Sequence, residues 1–255
     1  MTNNVIYMSE MNICVISDLE DFYVAQIFGK IYEIYKHNIN TLNVRVKNFS
    51  IIEACFKIYV LDSNLRDTIF ICVIDPYVGT ERKVKIIKKG KNFLIGPDNG
   101  IFSLIENFEK IIEVDTKKFN ASATFHGRDI FAVIAGKILK GEKIENFGKE
   151  CSGIEKLDLK NRILYIDEFG SIITSIKNGE IKANLGEILK VKISNEKDKK
   201  GKIFEAKFVR TFADEKEKLI IYKGSSGFLE IGKFMDNTAK ILNVNIEDRI
   251  EILNL

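Results

Sequence analysis

The first half of the chain alternates short apolar runs with longer segments in which apolar residues recur every three or four positions. Val24, Ile27, Ile31 and Ile34 follow this spacing, which places them in one stripe along a helix. The pattern also predicts helices over residues 51–61 and 129–140, the latter ended by Gly141, and strands over residues 12–17, 42–46 and 68–75. Strands that alternate with helices indicate an α/β fold: a three-layer α/β/α domain with a mostly parallel sheet.

The second half has a different character. Helical spacing fades, and short apolar segments are separated by Gly, Asn and charged turns. Asn178-Gly179 is a strong signal for a tight β-hairpin, and only residues 237–242 follow a helical pattern. We therefore predict an all-β domain, built as a barrel or a sandwich. The predicted organisation is an N-terminal domain, a linker and a C-terminal domain, over residues 1–150, 151–162 and 163–255.

The charges are mixed along the chain and nearly balanced. Of its 255 residues, 39 are Lys or Arg and 36 are Asp or Glu, which gives a formal net charge of +3. This balance gives no reason to expect a nucleic acid as a partner. The lysines of segment 83–89 alternate with apolar residues, so we expect them on the solvent face of a strand.

The four cysteines favour neither a metal site nor disulfide bonds. None belongs to a Cys-x-x-Cys pair, and Cys14, Cys55 and Cys72 lie in apolar runs. Residues 1–11 lack the basic and apolar regions of a signal peptide, and the longest apolar run, 69–74, is too short to span a bilayer. We expect a cytoplasmic protein with no membrane partner.

Three loops rich in Gly, Asp, Arg and His contain both prolines of the chain. They cover residues 75–82, 97–100 and 124–131, and each follows an apolar run. The carboxyl ends of parallel strands meet at one edge of a sheet, where α/β proteins usually build their sites. We therefore expect these loops, and Asp18 after the first strand, to converge there.

The residue types in these loops suit the activation of a water molecule. Asp75 and Arg82 could pair across a turn, and His126 could complete a polar triad with them. A permanent cation beside a carboxylate and an imidazole can orient water and favour its deprotonation. Asp18 could accept hydrogen bonds from a ribose diol. The chain has neither Gly-x-Gly-x-x-Gly nor the Walker pattern, so a nucleoside is a better candidate ligand than a nucleotide.

Each of these residues alone also has an ordinary structural explanation. Asp75 could simply start a turn, Arg82 could lie on the surface and His126 could enter a helix. The segment 98–100 could be a plain turn. For His37, which follows a predicted helix end, we expect only contacts with the last carbonyls of that helix.

Taken together, the motifs resemble those of the S-adenosyl-L-methionine (SAM) hydroxide adenosyltransferases, the adenosine-forming SAM hydrolases related to the fluorinases and chlorinases. The similar segments follow one another in the family's order and cover nearly the whole chain: Asp75-Pro76-x-Val78-Gly79-Thr80-Glu81-Arg82, Pro97-Asp98-Asn99-Gly100, Thr124-Phe125-His126-Gly127-Arg128-Asp129-Ile130-Phe131, Tyr165-Ile166-Asp167-x-Phe169-Gly170, Gly224-Ser225, Leu229-Glu230-Ile231 and Asp248-Arg249-Ile250.

The resemblance implies an N-terminal α/β/α domain, a C-terminal β-barrel, and a homotrimer with sites between the N-terminal domain of one subunit and the C-terminal domain of its neighbour. It also implies a reaction: SAM, the substrate, and water give adenosine and L-methionine, with no metal or further cofactor. Water attacks the ribose 5′ carbon in line, and the charges of hydroxide and sulfonium cancel in the transition state, which a dry cavity favours.

The resemblance also assigns roles to particular residues. The catalytic Asp, Arg and His fall on Asp75, Arg82 and His126. The other expected substrate contacts are Asp18 with the ribose hydroxyls, Gly127 with the nucleophile through its backbone N–H, Asp167 with the methionine ammonium group, Phe169 and Ser171 with adenine, Ser225 with the methionine carboxylate, and Val78 as part of the same site.

Departures from the family pattern surround the substrate and spare the triad. Residues 17–20 read Ser-Asp-Leu-Glu where Thr-Asp-Phe-Gly is usual, and residues 41–44 replace an Asp-x-Thr-His segment. Ser171 and Phe234 each stand where Asn is common. A non-catalytic SAM- or adenosine-binding protein is therefore one alternative. A halide-dependent enzyme that forms 5′-halo-adenosine is another, although the intact triad opposes it.

Overall fold

The computed structural model describes residues 11–253. The segment 1–11, which showed no signal peptide in the sequence, lies almost entirely outside the described residues. The chain divides into two compact units, residues 1–157 and 158–255. The division falls inside the segment 151–162 that the sequence predicts to be a linker. No helix within residues 11–253 has the length and apolar character needed to cross a membrane.

The N-terminal unit is built on a seven-stranded sheet. Its strands are β1 (Asn12–Ser17), β2 (Thr41–Arg45), β3 (Thr68–Val73), β4 (Val84–Lys89), β5 (Asn92–Pro97), β6 (Lys110–Val114) and β7 (Gly148–Glu150), in the spatial order β2-β1-β3-β5-β4-β6-β7. The pairs among β2, β1, β3 and β5 are parallel, whereas β4 and β7 run antiparallel to their neighbours. The carboxyl ends of β1, β3, β5 and β6 therefore lie at one edge.

Helices cover both faces of this sheet, which confirms the predicted three-layer α/β/α arrangement. They are α1 (Asp21–Ile34), α2 (Ile51–Asn64) and α3 (Ala132–Leu139). Alternate residues of β1 separate the two cores: Ile13 and Val15 pack with α1 and α3, whereas Cys14 and Ile16 pack with α2. Because side chains alternate along a strand, a buried strand must be apolar at every position, and burying each side chain contributes about 1.5–3 kcal/mol.

The prediction that the lysines of segment 83–89 face solvent is wrong for Lys85. Strand β4 lies between β5 and β6, so both of its faces are covered, and the Lys85 side chain is only 3% exposed. Its Nζ atom lies 2.9 Å from Glu113 Oε2 and 3.5 Å from Asp98 Oδ2. An alternation of lysines and apolar residues is typical of a half-exposed strand, but here carboxylates neutralise a buried lysine.

The C-terminal unit is a nearly closed, barrel-like sheet, as expected. Its strands are β8 (Ile163–Ile166), β9 (Ile172–Lys177), β10 (Ile188–Ser194), β11 (Lys202–Phe208), β12 (Leu219–Lys223), β13 (Phe228–Lys233) and β14 (Arg249–Ile252), in the spatial order β14-β10-β11-β12-β13-β9-β8. The two ends of this order meet through hydrogen bonds from Ile163 N to Asp248 O and from Ile250 N to Asn161 O. The predicted helix near residue 240 is α4 (Thr238–Leu242).

The predicted hairpin at Asn178-Gly179 is wrong. Strands β9 and β10 flank this turn but do not pair; β9 pairs with β8 and β13, and β10 with β11 and β14. Asn178 instead donates from its backbone N to Gly227 O and from Nδ2 to Gly224 O, both at 2.8 Å. Asn178 therefore stabilises the neighbouring turn between β12 and β13 rather than a hairpin of its own.

Candidate active site

Asp75 and Arg82 lie at the two ends of the loop that joins β3 to β4, at the carboxyl edge of the sheet. Gly79 makes this loop possible, because its φ of 80° lies in the left-handed region. A Cβ atom at this position would also lie only 2.4 Å from the carbonyl oxygen of Ala123. The loop thus lies directly against the segment that leads to His126.

Arg82 and Asp75 form a bidentate ion pair that is almost completely buried. Arg82 Nε lies 3.0 Å from Asp75 Oδ1 and 2.9 Å from Oδ2, and Arg82 Nη2 also contacts Oδ2. The two side chains are 7% and 5% exposed. Two parallel hydrogen bonds fix the plane of the guanidinium group, so its remaining N–H groups point in defined directions.

His126 completes the cluster, which we call the triad. Its Nδ1 atom lies 2.8 Å from Arg82 Nη2. A guanidinium group can only donate, so we assign Nδ1 as the acceptor and place the proton of the neutral ring on Nε2. Burial lowers the pKa of His126 below its ordinary 6.5, and the charge of Arg82 lowers it further, against the opposing effects of Asp75 and Asp129. The ring is therefore neutral near pH 7.

The last guanidinium nitrogen, Arg82 Nη1, is buried and has no hydrogen-bond partner among the described residues. The guanidinium carbon lies 6.0 Å from the centre of the Phe131 ring. A buried donor without a partner is costly, so such a group in a native structure calls for an acceptor, such as a water or ligand oxygen.

The helix predicted over 129–140 begins differently from the prediction. Residues Gly127–Phe131 form a π-helical turn that runs into α3. Gly127 packs so tightly on β3 that an added Cβ would lie 2.9 Å from Val73 Cγ1. The widened turn is of a kind often found at functional sites.

Asp129 anchors the segment that precedes His126. Its Oδ2 atom accepts hydrogen bonds from Ser122 N at 2.9 Å and Ser122 Oγ at 2.7 Å, and Oδ1 accepts from Arg128 Nε at 2.6 Å. Burial raises the pKa of Asp129, but the hydrogen bonds from Arg128 and Ser122 outweigh it and bring the pKa to about 2. The carboxylate stays charged and holds the segment in place.

Two residues of the triad, Asp75 and His126, border a cavity of about 240 Å³ in the N-terminal unit. Asp18, Val78 and Gly127, all predicted to contact substrate, line it with Asp75 and His126. The sequence-predicted residues of the N-terminal unit are therefore brought together at one edge of the sheet.

Phe49 also lines this cavity and was not predicted from the sequence. Its backbone N donates to Asp18 Oδ2 at 2.9 Å, and its ring is 70% exposed. Its φ of 63° is unusual for a bulky residue, and such backbone strain is often found at functional sites. No local pattern distinguishes this phenylalanine, since its position depends on the contact with Asp18.

The Pro97–Gly100 loop does not line the cavity, although it follows β5 at the same edge. Asn99 Nδ2 donates to Ile74 O at 3.0 Å, and Asp98 Oδ1 accepts from Glu155 N at 2.8 Å. Since Ile74 directly precedes Asp75, this loop supports the chain that carries the Asp75 carboxylate.

The C-terminal unit has a pocket of its own, with a volume of about 700 Å³. Asp167, Phe169 and Ser171 line it, as does Phe234, and the Phe169 ring is 82% exposed. Asp167 Oδ1 accepts from Ser171 N at 2.7 Å. Ser225 is exposed in the turn after β12 and is not part of this lining.

Tyr222 and Glu230 also line the C-terminal pocket, and no functional role was predicted for either from the sequence. The Tyr222 hydroxyl donates to Glu230 Oε2 at 2.7 Å. Among residues 11–253, no group of three or more His, Cys, Asp or Glu side chains is arranged to hold a metal ion.

These features define a class: two-domain proteins in which an α/β/α domain with a buried Asp–Arg–His cluster precedes a barrel-like β domain. Residues 13–148 match the family model of the SAM hydroxide adenosyltransferase N-terminal domain, and residues 161–251 match that of the C-terminal domain. The chain belongs to the SAM hydroxide adenosyltransferase family, which confirms the resemblance seen in its motifs.

Relatives with similar sequences support this family assignment. A protein of Methanocaldococcus jannaschii named (R)-S-adenosyl-L-methionine hydrolase is 36% identical over 97% of this chain and 99% of its own length. One of the same name from Salinispora tropica is 26% identical over 72% of this chain and 74% of its own length.

Two solved structures have the same architecture. A conserved protein from Thermotoga maritima has a TM-score of 0.84 and 26% identity, covering 94% of this chain and 99% of that one. One from Thermus thermophilus has a TM-score of 0.75 and 23% identity, covering 95% and 100%, and is similar in fold alone.

Proposed function

We propose that the protein hydrolyses SAM to adenosine and L-methionine, with Asp75, Arg82 and His126 as the catalytic residues. Family membership and the similarity to the M. jannaschii hydrolase support this assignment. The structural observation that supports the catalytic role of the triad is the 2.8 Å contact between Arg82 Nη2 and His126 Nδ1, because this contact fixes the tautomer of the histidine.

In this arrangement the triad is a donor site for an oxygen nucleophile. Arg82 Nη1 lacks a partner among the described residues, and His126 carries its proton on Nε2, so each of the two groups can still donate one hydrogen bond. Hydrogen bonds to the charged form favour that form, and a nearby cation acts in the same direction. The site therefore binds hydroxide more strongly than water. Asp75 holds the guanidinium group and partly neutralises it.

The nucleophile then attacks the ribose 5′ carbon of SAM in line with the sulfur. The O–C5′ bond forms as the C5′–S bond breaks, and the bonding pair leaves with sulfur, so methionine departs as a neutral thioether. The negative oxygen and the positive sulfonium neutralise each other as they react. A site that holds the two together therefore favours the transition state over separated, solvated ions.

The other predicted contacts complete the proposal. In the N-terminal unit, one Asp18 oxygen is bonded to Phe49 N and the other is left for a ribose hydroxyl, with Val78 and Gly127 beside the reacting atoms. In the C-terminal unit we assign Asp167 to the methionine ammonium group, Phe169 and Ser171 to adenine, and Ser225 to the methionine carboxylate.

We also propose that the protein works as a homotrimer, with each site completed by a neighbouring subunit. The exposed apolar side chains that border or line the two pockets, Phe49 at 70% and Met235 at 90%, support an assembly that covers them. Light scattering after size-exclusion chromatography should give three times the chain's mass of 29.1 kDa.

We assign the protein to the cytoplasm. All four cysteines are free thiols, and burial raises the pKa of Cys14 and Cys55 to about 12. Free thiols are typical of proteins from reducing compartments.

The reaction can be tested by incubating the purified protein with SAM in chloride-free buffer and identifying the products by mass spectrometry. Adenosine and L-methionine in equal amounts are expected. A 5′-halo-adenosine formed only when halide is added would instead indicate a halogenase. Tight binding of SAM without turnover over several hours would indicate a non-catalytic binding protein.

A further inference from the structure

The loop that leads into His126 has little structure of its own. Residues 119–125 contain neither helix nor strand, and residues 122–124 are exposed. Exposed loops with few buried contacts are the parts of a fold that open most easily. The imidazole at the end of this loop nevertheless meets Arg82 Nη2 at 2.8 Å. Groups outside the loop must therefore hold it in place.

Asp129, three residues after the histidine, closes the loop. Its Oδ2 atom accepts hydrogen bonds from the backbone N of Ser122 at 2.9 Å and from the Ser122 hydroxyl at 2.7 Å. These bonds join positions seven residues apart, and His126 lies near the middle of the segment between them. A bond that closes a loop removes the conformations in which the enclosed side chains point elsewhere.

The other side of the Asp129 carboxylate is fixed by Arg128. Arg128 Nε donates to Asp129 Oδ1 at 2.6 Å, and Nη1 donates to Gln26 Oε1 on α1 at 3.1 Å. The guanidinium carbon also lies 5.1 Å from the centre of the Phe125 ring. Hydrogen bonds between charged groups are the strong ones, and the Asp129 side chain is only 10% exposed. The loop is therefore tied to a carboxylate that is itself held by a neighbour anchored on helix α1.

The ring of His126 depends on this anchor for its orientation. Within residues 11–253 its only hydrogen bond is the one with Arg82. A neutral imidazole can carry its proton on either nitrogen, and only a ring held at the right distance keeps Nδ1 opposite the guanidinium group. Neither Asp129 nor Ser122 lines the cavity, so neither is placed to touch the reacting atoms.

We propose that Asp129 is a positioning residue which, through its two bonds to Ser122, keeps His126 Nδ1 against Arg82 and so holds the ring proton on Nε2. This gives a role to a charged residue of the motif 124–131 that the proposed mechanism does not use. The expected effect on catalysis rests on the proposed function, whereas the expected effect on the histidine ring does not.

Nuclear magnetic resonance of ¹⁵N-labelled histidine tests the proposal without substrate, because the chain has only two histidines. At about pH 8 both rings are neutral. Wild-type His126 should give one bare and one protonated nitrogen, with shifts distinct from those of the exposed His37, whose proton exchanges between its two nitrogens. In Asp129→Ala the His126 signals should move toward those of His37. Unchanged His126 signals in a folded Asp129→Ala variant would overturn the proposal.

Kinetics with SAM provide the second measurement. Asp129→Ala should lower kcat about 10–100-fold, as expected for a misplaced catalytic group, and change KM by less than about threefold. Asp129→Asn keeps an acceptor oxygen for Ser122, so it should restore most of kcat and the wild-type ring signals. A loss in Asp129→Asn as large as in Asp129→Ala would overturn the action through Ser122.

Ser122→Ala keeps the test valid if Asp129→Ala does not fold, because it removes one bond from an exposed loop. It should shift the His126 signals in the same direction and lower kcat about threefold; unchanged signals would overturn the proposal. The matched control is Asp198→Ala, which removes a loop-closing bond from Gly201 N to Asp198 Oδ1 in the other unit and should leave both readouts unchanged. The expected ring signals in a protein that does not hydrolyse SAM would leave the positioning role standing and refute the proposed reaction.

Discussion

The two pockets of this chain are built in opposite ways. At the N-terminal cavity the residues of the triad are bonded to one another: Asp75 to Arg82, and Arg82 to His126. In the C-terminal pocket the two carboxylates, Asp167 and Glu230, lack ion pairs within the described residues.

The difference indicates a division of labour. A polar cluster whose members are already bonded to one another changes little when a ligand arrives, so it can hold a nucleophile in a fixed orientation from the start. A pocket with unpaired carboxylates and exposed rings gains hydrogen bonds and buried area only when a ligand enters. The first arrangement suits chemistry and the second suits recognition. The variants that follow should therefore affect kcat in one pocket and KM in the other.

The largest effect is expected for His126→Ala. Loss of the imidazole removes one donor to the nucleophile and the acceptor for Arg82, so kcat should fall about 10²–10⁴-fold, while the KM for SAM changes by less than about threefold. Chromatographic measurement of adenosine provides the assay. His37→Ala, at the other histidine of the chain, should leave both constants unchanged. A large rise in KM with a small loss of kcat would assign His126 to binding instead.

The next effect concerns pH. His126 must be neutral to accept from Arg82, and its pKa is lowered below 6.5 by burial and by the Arg82 charge. As pH falls through this lowered pKa, kcat/KM should drop about tenfold per unit. The unfolded chain binds a proton near pH 6.5 and the folded one at lower pH, so folding stability should also decrease as pH falls through this window. In His126→Gln neither inflection should remain; an acid limb unchanged in that variant would contradict the assignment.

A smaller effect is expected in the C-terminal pocket. Phe169→Ala removes an exposed ring that we assign to adenine, so the KM for SAM should rise about fivefold with little change in kcat, as for the loss of one stacking contact. Leu185→Ala changes an exposed apolar residue of the same unit that lies outside the pocket lining, and serves as the control. If Phe169→Ala instead lowered kcat as strongly as His126→Ala, the division of labour would be wrong.

The sequence predicted those features that depend on local pattern. The apolar spacing of α1 and the uninterrupted apolar run of β3 gave the α/β/α core, since those patterns follow from covering a sheet on both faces. The motifs that contain Asp75, Arg82 and His126 predicted a triad, and the structure places the three side chains in contact.

Features that depend on tertiary context were missed. Lys85 was expected in solvent, but its place within a central strand is set by β5 and β6. Phe49 reaches the cavity only because Asp18 binds its backbone. Tyr222 and Glu230 face each other because of the register of β12 and β13, which a turn with two glycines does not determine from sequence alone. In each case a partner distant in sequence determines the role.

The measurement that tests the central claim most directly is hydrolysis of SAM in ¹⁸O-labelled water, followed by mass spectrometry of both products. The account predicts one labelled oxygen in the 5′ hydroxyl of adenosine, none in methionine, and almost no labelled product with His126→Ala. Adenosine without the label would contradict attack by water at the 5′ carbon. Labelled adenosine formed equally fast by His126→Ala would contradict the catalytic role of the triad.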